Sequence, residues 1–191
     1  MENYSVLMSV YYKEQAENLR EAIDSILNQT VKTNEFIIVK DGPLTEKLDN
    51  TIKEYVEEYP GVFKIITLEK NMGLAKALNK GIEQCSNEII ARMDSDDISM
   101  PDRMERQLEA MEANRADILS GTIVEFDESV DKPTAKRELP EKNEQIIEFA
   151  KKRSPFNHPA VMYKKSSVLK SGLYEDYTYF EDYNLDRKSV V

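Results

Sequence analysis

Positive charge is scarce in this chain: 26 Lys and Arg face 36 Asp and Glu, a formal net charge of −10 over 191 residues. Nucleic acid is held largely through its phosphates by basic faces, so this balance argues against DNA or RNA as a partner. An anionic ligand would need a metal ion to offset the repulsion. Cysteine is almost missing as well. Cys85 stands alone, which rules out an internal disulfide and points away from a cysteine-built metal site, leaving it the role of a packing residue. There is one histidine, His158. No apolar run approaches the roughly 20 residues of a membrane-spanning helix. The start, Met1-Glu2-Asn3-Tyr4, lacks the basic-then-apolar order of a secretory leader, and the expectation is a cytoplasmic protein. Glycine is missing where a phosphate cradle would need it. Ser9-Val10-Tyr11-Tyr12 follows the first apolar run, so a bound phosphate must be held by metal and side chains.

The chain has apolar content, 40% of its residues, enough for one domain of this length to fill a sizeable core. Ser5–Val10, Phe36–Val39, Val62–Leu68 and Glu88–Met93 read as apolar strands. Between them, Leu19, Ala22, Ile23, Ile26 and Leu27, then Leu48, Ile52, Tyr55, Val56 and Tyr59, then Leu74, Leu78 and Ile82 recur at helical spacing. Near-continuous apolar strands alternating with amphipathic helices predict an α/β fold with a mainly parallel central sheet flanked by helices. Ligands of such sheets bind at the carboxyl ends of the strands. Ser9–Tyr11, Lys40–Gly42 and Asp94–Asp97 occupy those ends and are expected at one edge. Pro101 suits the first turn of a further helix carrying Met104, Leu108 and Met111. Beyond it we read one strand over Asp117–Phe126, a long polar loop over 127–143, a short helix at Glu144–Lys151, a strand at Ala160–Tyr163 and an acidic-aromatic segment, Tyr177–Leu185.

Asp94-Ser95-Asp96-Asp97 sets three carboxylates at the end of an apolar strand. Carboxylates crowded so closely repel unless a cation neutralises them, and hard divalent ions favour oxygen ligands. Asp94 and Asp96 point to one side of an extended chain. They could share an ion. The plainer reading, an acidic helix start before Pro101, fits the same residues. An EF-hand loop does not, because Ile98 and Ser99 stand where a polar ligand and a glycine belong.

Ser5–Tyr12, Asp41-Gly42, Asn71-Met72-Gly73, Asn79-Lys80-Gly81-Ile82, Arg92-Met93-Asp94-Ser95-Asp96-Asp97, Asn157-His158-Pro159 and Glu181-Asp182-Tyr183 in this order resemble an inverting family-2 glycosyltransferase of Rossmann-like GT-A fold. The resemblance covers nearly the whole chain and is strongest to bacterial capsule and exopolysaccharide transferases. It implies a single domain, 1–191, with a nucleotide-binding half (1–97) and an acceptor-side half (98–191). It also implies metal-dependent transfer from a nucleotide sugar, in most members a uridine diphosphate (UDP) sugar, to an acceptor hydroxyl with inversion. The acceptor would be a glycan or a lipid-linked saccharide in surface polysaccharide assembly, and the location cytoplasmic or at the inner face of the membrane.

By that resemblance Asp96 ligates Mn2+ or Mg2+, and Asp94 faces the ion or the ribose. Ser9, Tyr11 and Asp41 line the nucleoside pocket, Lys76 reaches phosphate or ribose, and His158 sits near the donor sugar. Asp182 is the general base, with Glu181 supporting the acceptor. Tyrosines at 11, 12, 174, 177, 179 and 183 suit a sugar and base platform, or plain core and rim packing. Lys40 departs from the usual acidic residue before Asp41. Leu185-Asp186-Arg187 departs where an aromatic usually precedes the arginine. The stretch after Asp182 is short for the family, so an inactive nucleotide-sugar-binding fragment is the competing expectation. Lys151-Lys152-Arg153 and Lys164-Lys165 could touch a membrane surface, although solvated lysines explain them equally.

Overall fold

In a computed structural model, which describes residues 2–127, 130–177 and 181–190 (backbone alone at 187, 189 and 190), the apolar runs become strands. Strands β1 (Tyr4–Val10), β2 (Glu35–Lys40), β3 (Phe63–Thr67) and β4 (Ile89–Asp94) alternate with helices α1 (Ala16–Leu27), α2 (Glu46–Glu58) and α3 (Leu74–Gln84). After α4 (Arg103–Asn114) come β5 (Ile118–Ser120), β6 (Ile123–Phe126), β7 (Pro133–Arg137) and α5 (Asn143–Ala150). A 3-10 turn (His158–Ala160) then leads into β8 (Val161–Lys164), α6 (Lys165–Lys170) and α7 (Glu181–Val190).

The main sheet has the order β3-β2-β1-β4-β8-β5. Its first four strands are parallel, and β8 runs antiparallel to both of its neighbours. The expected α/β architecture is therefore found, with β8 as the one reversed strand. Side chains alternate across a strand, and β1 shows the result. Tyr4, Val6, Met8 and Val10 pack with α1, α2 and α4, whereas Leu7 packs on the other face with Ala77, Leu78 and Ile82 of α3 and Leu185 of α7. Both faces are covered, as a parallel sheet requires. Among the described residues no helix is long and apolar enough to cross a membrane.

Register places the site. Ser9 lies opposite Val39 of β2 and Asp94 of β4, so the ends of β1, β2 and β4 converge. The strand order turns back at β1, with β2 on one side and β4 on the other, and such a reversal leaves a crevice outside the strand ends.

Three expectations need correction. The single strand over Asp117–Phe126 is two, because Gly121 leaves the ladder. Its N–H donates to the Ala160 carbonyl (3.2 Å), while its own carbonyl accepts from Asn157 Nδ2 (2.9 Å). β5 thus joins β8, and β6 pairs with β7 in a separate two-stranded sheet. The 127–143 segment is accordingly not a plain loop. Its strand, β7, is exposed along its whole length and has no apolar alternation to betray it. Pro101 lies in the turn before α4, whose first residue is Arg103, and not within the helix. Tyr179 lies outside the described residues, as does the side chain of Arg187.

Candidate functional site

At the end of β2, Asp41 is buried. Its Oδ1 accepts from the Met72 N–H (2.7 Å) and its Oδ2 from the Gly73 N–H (3.1 Å). The carboxylate therefore shapes the loop between β3 and α3. Gly42 follows with φ +89°, and a Cβ there would lie 2.5 Å from Asn71 N, so only glycine lets the two loops touch. Ser9 is half-buried beside Asp94, while Tyr11 and Tyr12 stand exposed past β1, edge to face at 5.9 Å. Lys76, on α3, pairs with Asp176 at 2.8 Å on the surface.

The acidic turn after β4 contains more negative charge than local partners balance. Ser95 Oγ donates to Glu14 Oε2 at 2.8 Å, drawing a further carboxylate against the turn. The Asp96 carboxyl lies above its ordinary value because of partial burial, then Glu14 and Asp94. Asp97 is pushed up to about 6 by burial, then by Asp94 and Asp96. Its Oδ2 is buried with no hydrogen-bond partner. Among the described residues no three His, Cys, Asp or Glu side chains form a ready-made metal cage. Still, crowded carboxylates with raised protonation and an unpartnered oxygen fit a divalent ion that takes one or two protein ligands and completes its shell with water and phosphate. Asp96 and Asp97 also end a broad open cleft of about 2370 Å³ between α4, β6 and the segment before α5.

Arg92 is the unexpected element. It occupies β4 opposite Leu7 and is 2% exposed. Its Nη2 lies 2.7 Å from Asp94 Oδ1, and its Nη1 lies 3.9 Å from Asp182 Oδ2 on α7. Burial opposes the charge on Arg92, but Asp94 and then Asp182 outweigh it and raise the pKa above the usual arginine range. Arg103 reinforces the strand from α4, donating to the Arg92 carbonyl at 2.8 Å and to Ser99 Oγ at 2.9 Å.

Asp182 lies in the first turn of α7, and its Oδ1 is 3.1 Å from His158 Nδ1. His158 Nε2 is 2.7 Å from Asp186 Oδ1, and Tyr174 packs edge to face on the ring at 5.9 Å. Glu181 is half-buried beside Asp182. The structure thus brings together Asp94, Asp96, Asp182 and His158, with Ser9 adjacent. It places Asp41 in a loop-shaping role and Lys76 on a surface pair. Tyr174 is core, whereas Tyr11, Tyr12 and Tyr177 are exposed.

Sequence reasoning gives no role to Arg92, Glu14 or Asp186. Two of them left a signal. Arg92 is a charge inside an apolar strand, and Asp186 lies one helical turn from Asp182 and so on its face. Glu14 left none.

The model of the family described as "Glycosyl transferase family 2" matches residues 5–178. The amylovoran biosynthesis glycosyltransferase AmsE of Erwinia amylovora is 44% identical over 183 residues, 95% of this chain and 67% of that protein. An Escherichia coli protein named UDP-Gal:alpha-D-GlcNAc-diphosphoundecaprenol beta-1,3-galactosyltransferase is 40% identical over 189 residues, 98% of this chain and 68% of that one. The crystal structure of S. aureus TarS 1-349 in complex with UDP-GlcNAc superposes with a TM-score of 0.73 at 18% identity, covering 98% of this chain and 53% of that one. At that identity the likeness speaks for the fold. The chain spans about two thirds of the length of the curated relatives it matches.

Proposed function

The chain belongs to glycosyl transferase family 2, and from that premise we propose that it transfers a hexose from a UDP-sugar to a hydroxyl of a lipid-linked saccharide, with inversion at the anomeric carbon. Surface polysaccharide assembly at the cytoplasmic face of a membrane is the setting we infer. Support for donor and acceptor comes from the Escherichia coli relative, whose name states both.

One observation carries the reading. A single buried guanidinium, Arg92, reaches Asp94 of the acidic turn and Asp182 of α7, so the group suited to the leaving diphosphate and the group suited to the nucleophile share one site. Asp96, with Asp94, would hold a divalent ion. When bound, such an ion offsets the charge that develops on a departing diphosphate. The chain's own residues do the rest. Asp182 Oδ1 is covered by His158 and shielded from solvent, which leaves Oδ2 to accept the acceptor's proton. As that proton leaves, the hydroxyl oxygen bonds to the anomeric carbon on the face opposite the diphosphate, which departs with its bonding electrons. Ser9 and Tyr11 flank the nucleoside, and Asp41 holds the 71–73 backbone that closes its far side.

The test is UDP binding by calorimetry in Mn2+ and in EDTA, paired with transfer from UDP-galactose to an N-acetylglucosaminyl diphospholipid. Binding should need Mn2+ and be lost in Asp96→Ala, and turnover should be lost in Asp182→Asn with UDP binding intact. Equal UDP affinity with and without metal would sink the metal assignment. Tight binding without turnover from any nucleotide sugar would favour the binding-fragment reading.

A further inference from the structure

We propose that His158 is a positioning residue for the base Asp182, held from beneath by Asp186, and not a donor-sugar contact. The inference rests on the glycosyl-transfer reading for its catalytic consequence but on geometry alone for the contacts. His158 is 3% exposed, and it faces the underside of α7. Asp182 and Asp186 are four residues apart on that helix and share a face. The imidazole fills the space between them.

The contact to Asp186 has a defined polarity. A carboxylate only accepts, so the 2.7 Å contact to Asp186 Oδ1 requires the proton on Nε2. Asp186 is 0% exposed, and its Oδ2 also accepts from Ser154 Oγ at 2.5 Å. A carboxylate so enclosed is tolerated only when its oxygens are partnered, and these two donors fix it. With Nε2 held, Nδ1 faces Asp182 Oδ1 at 3.1 Å and the Tyr174 hydroxyl at 3.4 Å. Nδ1 and Oδ1 are therefore within ion-pair reach without a hydrogen bond between them, and the imidazole holds Oδ1 by contact and charge. Oδ1 is buried and makes no hydrogen bond among the described residues.

The consequence is directional. A carboxylate on a helix can rotate about two bonds, and catalysis needs one oxygen aimed at the acceptor. His158 pins Oδ1 and leaves Oδ2 on the open side near Arg92. Without the imidazole, Asp182 would swing toward Arg92 Nη1, 3.9 Å from Oδ2, and pair with it fully. Asp186 acts at one remove by holding the ring.

The decisive measurement uses the fact that His158 is the only histidine, so the uniformly 15N-labelled chain has one pair of ring-nitrogen resonances. Asp182→Asn should move the Nδ1 resonance and leave Nε2 in place, while Asp186→Asn should do the reverse. Both variants keep side-chain volume, and far-UV circular dichroism checks their folding. With UDP-galactose, an N-acetylglucosaminyl diphospholipid and Mn2+, His158→Gln should lower kcat on the order of 10²-fold at an unchanged KM for UDP-galactose. Asp186→Asn should lower kcat less, again without a KM change. An Nδ1 resonance indifferent to Asp182→Asn would overturn the contact. A His158→Gln protein with full kcat and a raised KM for UDP-galactose would return His158 to the donor pocket. If the parent chain turns over no nucleotide sugar, the transfer reading fails, while the resonance experiment, which needs no substrate, still decides the contact.

Discussion

Replacing Gly42 by alanine should destabilise the protein more than the same change at Gly73, although both glycines have a positive φ. Their φ values are +89° and +87°, with ψ 159° at Gly73, and such sparsely populated backbone costs an L-residue about 1–3 kcal/mol. Their surroundings differ. A Cβ on Gly42 would sit 2.5 Å from Asn71 N and 2.9 Å from Lys70 C, whereas a Cβ on Gly73 meets nothing within 4 Å. Backbone cannot rotate aside as a side chain can, so the 70–71 loop must shift, at an overpacking cost of roughly 1–3 kcal/mol. The totals are then about 2–6 kcal/mol at Gly42 and about 1–3 kcal/mol at Gly73. For a chain of this length each kcal/mol moves Tm by about 2–4 °C. Thermal unfolding of both variants beside the parent, in one buffer with EDTA, should separate them by roughly 2–12 °C. The same shift would disturb Met72 and Gly73, whose N–H groups Asp41 holds, and so should weaken UDP binding in Gly42→Ala. Equal Tm losses in the two variants would mean that the loops do not touch as described, and the account of Asp41 as a loop-shaping residue would fall with them.

Asp97→Asn should stabilise the chain near neutral pH and not in acid. The Asp97 carboxyl is raised from 3.8 to about 6 in the folded chain, so its unfavourable effect is absent below pH 3.8, grows between pH 3.8 and 6 and is fully present above that. At pH 7.5 in EDTA the variant should gain up to about 2 kcal/mol in urea denaturation. A gain of equal size at pH 3.5 would refute the cause. Asp41→Ala removes the acceptor for two backbone N–H groups and should cost roughly 2–5 kcal/mol, with Asp41→Asn costing less because it keeps one acceptor oxygen; chemical denaturation reads both. Gly81→Ala brings a Cβ to 2.1 Å from Leu7 Cδ1 and 3.0 Å from Val39 Cγ2. Because Leu7 is a flexible side chain and alanine favours helix by about 1 kcal/mol, the net loss should be only about 1–2 kcal/mol, measured by the same assay.

The architecture was legible wherever one residue's pattern determined its own surroundings. Continuous apolar runs at β1, β2 and β4 can be stable only inside a covered sheet, and that alone brings Ser9, Lys40 and Asp94 to one edge. The strand β7 was illegible because Pro133–Arg137 is solvated throughout and carries no pattern. Gly121 ended a strand for a reason located at Asn157, far along the chain. The candidate site divided in the same way. Asp94 and Asp96 announce themselves by local crowding, but the link from Arg92 to Asp182, and the enclosure of His158 by two carboxylates of α7, exist only once the helix has docked beneath the 3-10 turn. Asp41 illustrates the opposite difficulty. Its nucleoside role is implied by resemblance, and its hold on the Met72 and Gly73 amides is visible only in the structure.

The burial of Arg92 within β4 has a consequence for the resting enzyme. A guanidinium rooted in a strand cannot diffuse away. Its permanent charge lies between Asp94 and Asp182 and tethers both carboxylates to the strand at all times.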